Sequence, residues 1–155
     1  MKATPTEVEN YLKLLEETPR RIRTLSKGID GACLQFRLDN KTWSANDILA
    51  HLRSCADLWT FSIYAMLAEN VPVLPDINER KWAKATRYAE ISFQESFQAF
   101  SIQRENLLHV LKDLPFESWE RSAIIFERKH TIFTQIRRMT KHENEHCGQI
   151  ESLLQ

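Results

Sequence analysis

The sequence predicts an all-α protein, a four-helix bundle, on the basis of three observations. The chain has only three glycines in 155 residues, and few of its segments alternate apolar and polar residues as strands do. Four segments of about twenty residues instead carry apolar side chains at helical spacing. The segments between them are long enough for crossover connections, which some four-helix bundles have. The chain length of 155 residues predicts one domain, residues 1–155, with a substantial core.

The first predicted helix begins at Thr4, which has the features of an N-cap. Pro5 suits the first helical position, and Glu7 completes a capping box with Thr4. Pro19 predicts a kink or a restart of this helix, with Thr18 as a second cap, and a glycine-containing segment then ends it. The apolar positions recur at helical spacing: Val8, Leu12, Leu15, Ile22 and Leu25.

The second predicted helix begins after Ser44, and Asp47 stands at the third position of its first turn. Its apolar stripe consists of Ile48, Leu52, Cys55, Trp59 and Met66. The following segment, "ENVPVLPDINER", interrupts the periodicity with two prolines. A short helical turn around Trp82 is expected after it.

The third predicted helix extends from about Ser92 to Asp113. Its apolar set is Phe93, Phe97, Phe100, Leu107, Leu108 and Leu111. The segment "LPFESWERSAIIFERKH" then forms a connection whose shape the pattern does not define. Thr131 is expected to cap the fourth helix, whose stripe is Ile132, Ile136, Met139, Ile150 and Leu154.

Charge and composition limit the partners of the protein. Lysine plus arginine (21) equals aspartate plus glutamate (21), so no net field attracts nucleic acid or an anionic membrane. The N-terminus carries charges where a signal peptide is apolar, and the longest apolar run, "WTFSIYAMLA", is too short to span a bilayer. Three scattered cysteines without a CxxC pair favour a reducing, cytoplasmic location.

Three histidines lie at the edges of two apolar helix faces. His142 and His146 are four residues apart in the fourth helix and therefore share one face. On a helical wheel, His146 lies about 40° and His142 about 80° from the centre of the stripe, and His51 lies about 60° from the stripe of the second helix. Facing helices in a bundle are about 8–10 Å apart. The three imidazoles can therefore meet at one metal ion, although the same spacing also suits polar side chains without a metal.

The other histidines and the cysteines have simpler interpretations. His109 lies opposite the apolar set of the third helix, and His130 precedes the fourth helix in an expected loop, so neither is predicted as a ligand. Cys55, four residues after His51, can close the site as a fourth ligand, which would make a bound zinc structural. A small buried side chain is the preferred interpretation of Cys55. Cys147 is interpreted as packing.

Three further side chains are candidates for chemistry around such a site. Glu143 projects about 20° from the stripe centre, where it can accept an imidazole N–H or act as a base, unless the helix rotates to expose it. Arg104 can bind a substrate carboxylate or form a salt bridge to a neighbouring helix. Trp59 can bind substrate in an apolar pocket or pack in the core, as can three other aromatic residues: Trp43, Trp82 and Phe133.

Two segments of the chain resemble the DinB/YfiT-like superfamily of metalloenzymes. They are "WSANDILAHL" at 43–52 and "HENEHCGQI" at 142–150. The similarity extends to the capped first helix and to "FSIQRENLLHVL" in the third, so it covers essentially the whole chain. The resemblance implies a four-helix bundle with a divalent metal, usually zinc or nickel, bound by one histidine of the second helix and two of the fourth. In this sequence the ligands are then His51, His142 and His146.

The resemblance also implies a class of function. Characterised relatives include transferases and isomerases that use low-molecular-weight thiols such as bacillithiol or mycothiol, and homodimers are common among them. We therefore expect a divalent-metal-dependent enzyme with a small-molecule substrate and an open water position, because a metal ion lowers the pKa of water (a hydrolase) or of a thiol (an S-transferase). One alternative is a non-catalytic metal-binding or stress-response protein with a structural or relict site. Another is a bundle that binds a partner through an exposed apolar face.

Overall fold

The computed structural model describes residues 3–155, and its four long helices are the predicted ones. Two short helices and two 3-10 turns, at 88–90 and 116–120, lie between them. Helices α1 and α3 each pack against both α5 and α6, so the predicted all-α four-helix bundle is confirmed. None of the helices within the described range is both long and apolar enough to cross a membrane. The helices are α1 (Pro5–Ser26), α2 (Gly31–Gln35), α3 (Ala45–Ala68), α4 (Glu79–Thr86), α5 (Phe93–Lys112) and α6 (Ile132–Leu154).

Hydrogen bonds at the caps confirm the predicted starts of the long helices. Thr4 Oγ1 accepts from the backbone N–H of Glu7 at 3.3 Å, and the Glu7 carboxylate accepts from the Thr4 N–H at 3.2 Å. Ser44 and Asp47 make the same reciprocal pair before α3, at 3.1 and 2.8 Å. The Thr131 hydroxyl accepts from the N–H three residues later in α6, at 3.1 Å. These caps bond N–H groups that have no partner within the helix.

Of the two outcomes predicted at Pro19, a kink or a restart of the helix, the restart is wrong. The helix is assigned without interruption through this proline. The Thr18 hydroxyl donates to the carbonyl oxygen of Leu14 at 3.2 Å and caps no new helix. Leu15 and Ile22, on either side of the proline, are both fully buried. Their packing against the bundle outweighs the local cost of the proline.

A small three-stranded sheet occupies the connections whose shape the sequence left undefined. The strands are β1 (Val73–Leu74), β2 (Ser122–Ile125) and β3 (Arg128–Thr131). β2 pairs in parallel with β1 and antiparallel with β3. Phe126 and Glu127 form the β2–β3 turn with φ of 49° and 59°, the left-handed values that a type I′ hairpin turn requires. His130 therefore lies in a strand, which corrects the loop expected there.

A buried ion pair lies between two apolar clusters of the core. Arg104 of α5 is 3% exposed and Glu143 of α6 is 1% exposed. Arg104 donates from Nη1 to Glu143 Oε2 at 2.9 Å and from Nη2 to Oε1. The apolar residues that flank the pair belong to different clusters: Leu107 and Met139 to one, Phe100 and Cys147 to the other. The ion pair thus links α5 to α6 across the bundle interior.

Candidate metal centre

Three histidines from two helices meet at one point of the bundle. The Nε2 atoms of His51 (α3) and His142 (α6) are 3.0 Å apart, and Nε2 of His146 is 3.1 Å from that of His142. The possible ligand atoms of all three lie within 4.8 Å of one another. His142 and His146 share a face because they are one helical turn apart, and α3 brings His51 to that face. The structure therefore brings together the three histidines that the sequence singled out.

The environment of the cluster keeps two of these imidazoles neutral. Burial, with a smaller contribution from His146, lowers the pKa of His51 to about 4. Burial also lowers the pKa of His142 to about 3, with contributions from His146, His51 and Arg138. Both rings are therefore uncharged at neutral pH, which is the form in which an imidazole nitrogen binds a metal.

The hydrogen bonds of the rings leave nitrogen lone pairs directed into the cluster. Nδ1 of His146 lies 2.7 Å from Oε1 of Gln149. The amide oxygen accepts a hydrogen bond, so the ring proton lies on Nδ1 and Nε2 is free to bind a metal. Nδ1 of His142 is buried and has no hydrogen-bond partner within residues 3–155. Nε2 atoms this close repel one another unless a proton or a cation lies among them, so the donor set fits a divalent cation that prefers nitrogen ligands.

Two tryptophans enclose the histidines. The ring centroid of Trp43 is 5.2 Å from that of His51 and 6.3 Å from that of His146. Trp59, which is 7% exposed, meets the ring of His142 edge-on at 5.0 Å. These contacts restrict the rotation of the imidazoles. Trp59 therefore lies in the core and beside the histidines, and substrate binding by it stays a prediction.

Cys55 lies directly against two of the histidines. Its Sγ is 3.6 Å from Nε2 of His51 and 3.9 Å from Nε2 of His142. Nitrogen and sulfur ligands of one tetrahedral zinc, at about 2.0 and 2.3 Å from the ion, are roughly 3.5 Å apart. These distances therefore suit a sulfur ligand as well as simple packing. Burial raises the pKa of the thiol to about 12, so in the absence of a cation Cys55 is a neutral thiol.

The other predicted residues are not directed at the cluster. Both carboxylate oxygens of Glu143 accept hydrogen bonds from Arg104. Glu143 is 1% exposed, so it does not reach solvent, and it accepts no imidazole N–H among the described residues. Arg104 correspondingly makes the salt bridge that the sequence offered as its alternative role. Their roles toward substrate stay predictions. His109 is exposed on α5, His130 is in β3, and neither belongs to the three-histidine group.

An open cleft of about 540 Å³ lies beside His51, lined on one side by Arg80 and Lys84 of α4. A smaller cavity of about 60 Å³ is lined in part by Arg138. None of these three basic residues is among the site residues predicted from the sequence. Arg138 lies four residues before His142, and this spacing, which places both on one face of α6, could have indicated that Arg138 lies near the histidines. No pattern in the sequence places α4 over His51, because their contact depends on the tertiary fold.

Comparison with known proteins agrees with this architecture. A model of the DinB superfamily matches residues 14–150, and no curated protein matches the chain. Among solved structures, YfiT from Bacillus subtilis superposes with a TM-score of 0.86 at 14% sequence identity, over 98% of this chain and 88% of that one. YfiT is described as "a probable metal-dependent hydrolase with an unusual four-helix bundle topology". At this identity the likeness shows the fold alone, whereas the family model spans most of the sequence. The chain belongs to the DinB superfamily.

Proposed function

We propose that the protein is a divalent-metal-dependent hydrolase with a small-molecule substrate, and that His51, His142 and His146 bind the ion. The proposal rests on one observation: the possible ligand atoms of the three histidines lie within 4.8 Å of one another, beside an open cleft. Three histidines with a fourth position for water are a ligand set of catalytic zinc sites, and nickel accepts the same nitrogen ligands. The description of YfiT, which shares the fold, supports the same class of reaction.

The residues of the chain prepare this site in three ways. Gln149 bonds Nδ1 of His146 and so turns its Nε2 toward the cluster. The lowered pKa values of His51 and His142 keep protons from competing for the nitrogens at neutral pH. The cleft beside His51 gives a substrate access to the cluster. A divalent ion, when bound, supplies a Lewis acid that lowers the pKa of water.

Transfer of a low-molecular-weight thiol is the second candidate reaction. A bound cation would lower the pKa of a thiol as it does that of water, and the cleft of about 540 Å³ is within the size range of small-ligand sites. The two reactions give different products. Hydrolysis consumes water and releases two fragments, whereas S-transfer consumes the thiol, replaces the leaving group with its sulfur, and yields a thioether and the protonated leaving group. Mass spectrometry of reaction mixtures with and without an added thiol separates them.

The non-catalytic alternative depends on Cys55. If its sulfur occupies the fourth ligand position, the site is closed and the ion is structural. Metal content should therefore be measured by mass spectrometry on protein purified without a histidine tag. The samples are wild type, His146→Ala, Cys55→Ala and, as a control, His109→Ala at an exposed position.

We expect about one zinc or nickel ion per chain in the wild type, lost in His146→Ala and retained in Cys55→Ala and His109→Ala. Loss of the ion in Cys55→Ala would favour the closed, structural site. Wild-type protein that contains no metal and takes up none from added zinc or nickel would contradict both metal-binding functions. A bundle that binds a partner protein would then be the better account.

A further inference from the structure

Two cations of α4 face the candidate metal centre across the cleft. Arg80 and Lys84 are four residues apart, so they lie on one face of α4, and both line the cleft together with His51. Both side chains are exposed. Neither side chain has a salt bridge or a hydrogen bond within residues 3–155.

The acidic residues near these cations do not neutralise them. Asp47, which lines the same cleft, accepts hydrogen bonds from Arg37 Nε at 2.6 Å and from the Ser44 N–H at 2.8 Å. The charge of Glu79 acts on His51 with the opposite sign to that of Arg80, but in the described part of the chain Glu79 makes no salt bridge to either cation and lines the separate small cavity instead of the cleft. The side chains that line the cleft therefore carry an excess of positive charge, although the whole chain has a net charge of zero.

Hydrogen bonds to α3 hold this wall of the cleft in place before any ligand binds. Asp57 of α3 accepts from Nε1 of Trp82 at 3.0 Å and from the hydroxyl of Tyr88 at 2.7 Å. Nδ2 of Asn46, also on α3, donates to the carbonyl oxygen of Ala89 at 3.0 Å. Trp82, Tyr88 and Ala89, which make these contacts, are close to Arg80 and Lys84 in the sequence. A wall that is already ordered loses less conformational entropy on binding, which favours recognition of a small ligand.

We propose that this cleft binds the anionic group of the substrate, a carboxylate or a phosphate, through Arg80 and Lys84. The guanidinium group can bond an oxyanion through two N–H groups, and the ammonium group adds a second charge. Trp43, which is 40% exposed, offers a surface for the apolar part of the molecule. The inference rests on the proposed function and defines its substrate class as small anionic molecules whose reactive bond lies near the three histidines.

The test compares benzoate and phenyl phosphate with benzamide, a neutral probe of similar shape. Binding is followed by NMR at the indole N–H of Trp43, assigned with Trp43→Phe, in the full chain with and without zinc. We expect both anions to bind in both forms, and benzamide to bind at least about tenfold more weakly. Arg80→Gln and Lys84→Gln should each weaken anion binding about tenfold. Lys81→Gln, which removes an exposed charge from the same helix outside the cleft lining, should leave binding unchanged.

Four outcomes would overturn the inference. These are no binding of either anion, equal binding of benzamide, anion binding that neither Arg80→Gln nor Lys84→Gln weakens, and binding that requires zinc, since the anion would then be a ligand of the ion. The stronger of the two anions identifies the group that the cleft prefers. The result is independent of metal uptake, on which the proposed function depends, because the zinc-free protein is measured as well.

Discussion

Replacing Glu143 with glutamine should lower the free energy of unfolding by about 3–5 kcal/mol. The substitution leaves the Arg104 guanidinium, 3% exposed, without its charged partner in the core. Removal of one partner costs this much because the remaining charge stays desolvated and uncompensated. In a protein of 155 residues, 1 kcal/mol corresponds to about 2–4 °C in Tm, so Tm should fall by roughly 6–20 °C.

The double variant Arg104→Met, Glu143→Leu tests the origin of this loss. It removes both charges and replaces them with apolar side chains, so its stability should lie within about 1 kcal/mol of wild type or above it. Thermal and urea unfolding of the wild type, the single variant and the double variant are followed by far-UV circular dichroism. A Glu143→Gln variant within about 1 kcal/mol of wild type would refute the reasoning, because such a small cost is typical of solvent-exposed pairs.

The same samples separate the structural role of Glu143 from the predicted catalytic one. If Glu143 serves only as the partner of Arg104, the double variant should keep its metal content and any hydrolytic activity of the wild type. A double variant that folds and binds metal but has lost activity would instead show that the carboxylate acts in the reaction. Glu145→Gln, at an exposed position of the same helix, is the matched control for removal of a charge.

Three further predictions concern the histidines, the α4 wall and a helix cap. The metal-free protein should lose stability as the pH falls from about 6.5 toward 4. In this range the unfolded chain binds protons at His51 and His142, whereas the folded pKa values are about 4 and 3. Urea unfolding at several pH values should show that the free energy of unfolding of His51→Gln depends less on pH than that of the wild type. Asp57→Asn should loosen α4, because hydrogen bonds to a charged carboxylate are worth about 1.5–3 kcal/mol each and the substitution weakens them. The rate of amide hydrogen exchange should rise in residues 79–86 while the metal content is unchanged. An unchanged exchange rate would contradict the anchoring role of Asp57. Thr131→Ala should cost about 1 kcal/mol by removing the cap of α6, a fall of about 2–4 °C in Tm, whereas Thr24→Ala, inside α1, should cost less.

The sequence alone determined the long helices and the identity of the three clustered histidines. Capping residues such as Thr4 and Ser44 act within a few positions of themselves, so they locate a helix start without knowledge of the rest of the fold. Apolar periodicity likewise identifies the buried face of each helix. His142 and His146 share a face because of helix geometry, and the position of His51 relative to its own stripe directed it toward the same core. These are properties of single helices, which local sequence encodes.

Only the tertiary structure decided the features that depend on contacts between distant segments. Phe126 and Glu127 form a hairpin turn without the glycine or asparagine that would signal one, because pairing of β2 with β1 and β3 holds the turn. Helix α1 continues through Pro19 because packing on both sides outweighs the local penalty. The pairing of Arg104 with a residue on another helix, and the position of α4 beside His51, likewise depend on how helices pack. Apolar periodicity indicates that a helix face is buried, but it does not indicate which side chain of another helix contacts that face. This contact depends on how the helices pack when the chain folds.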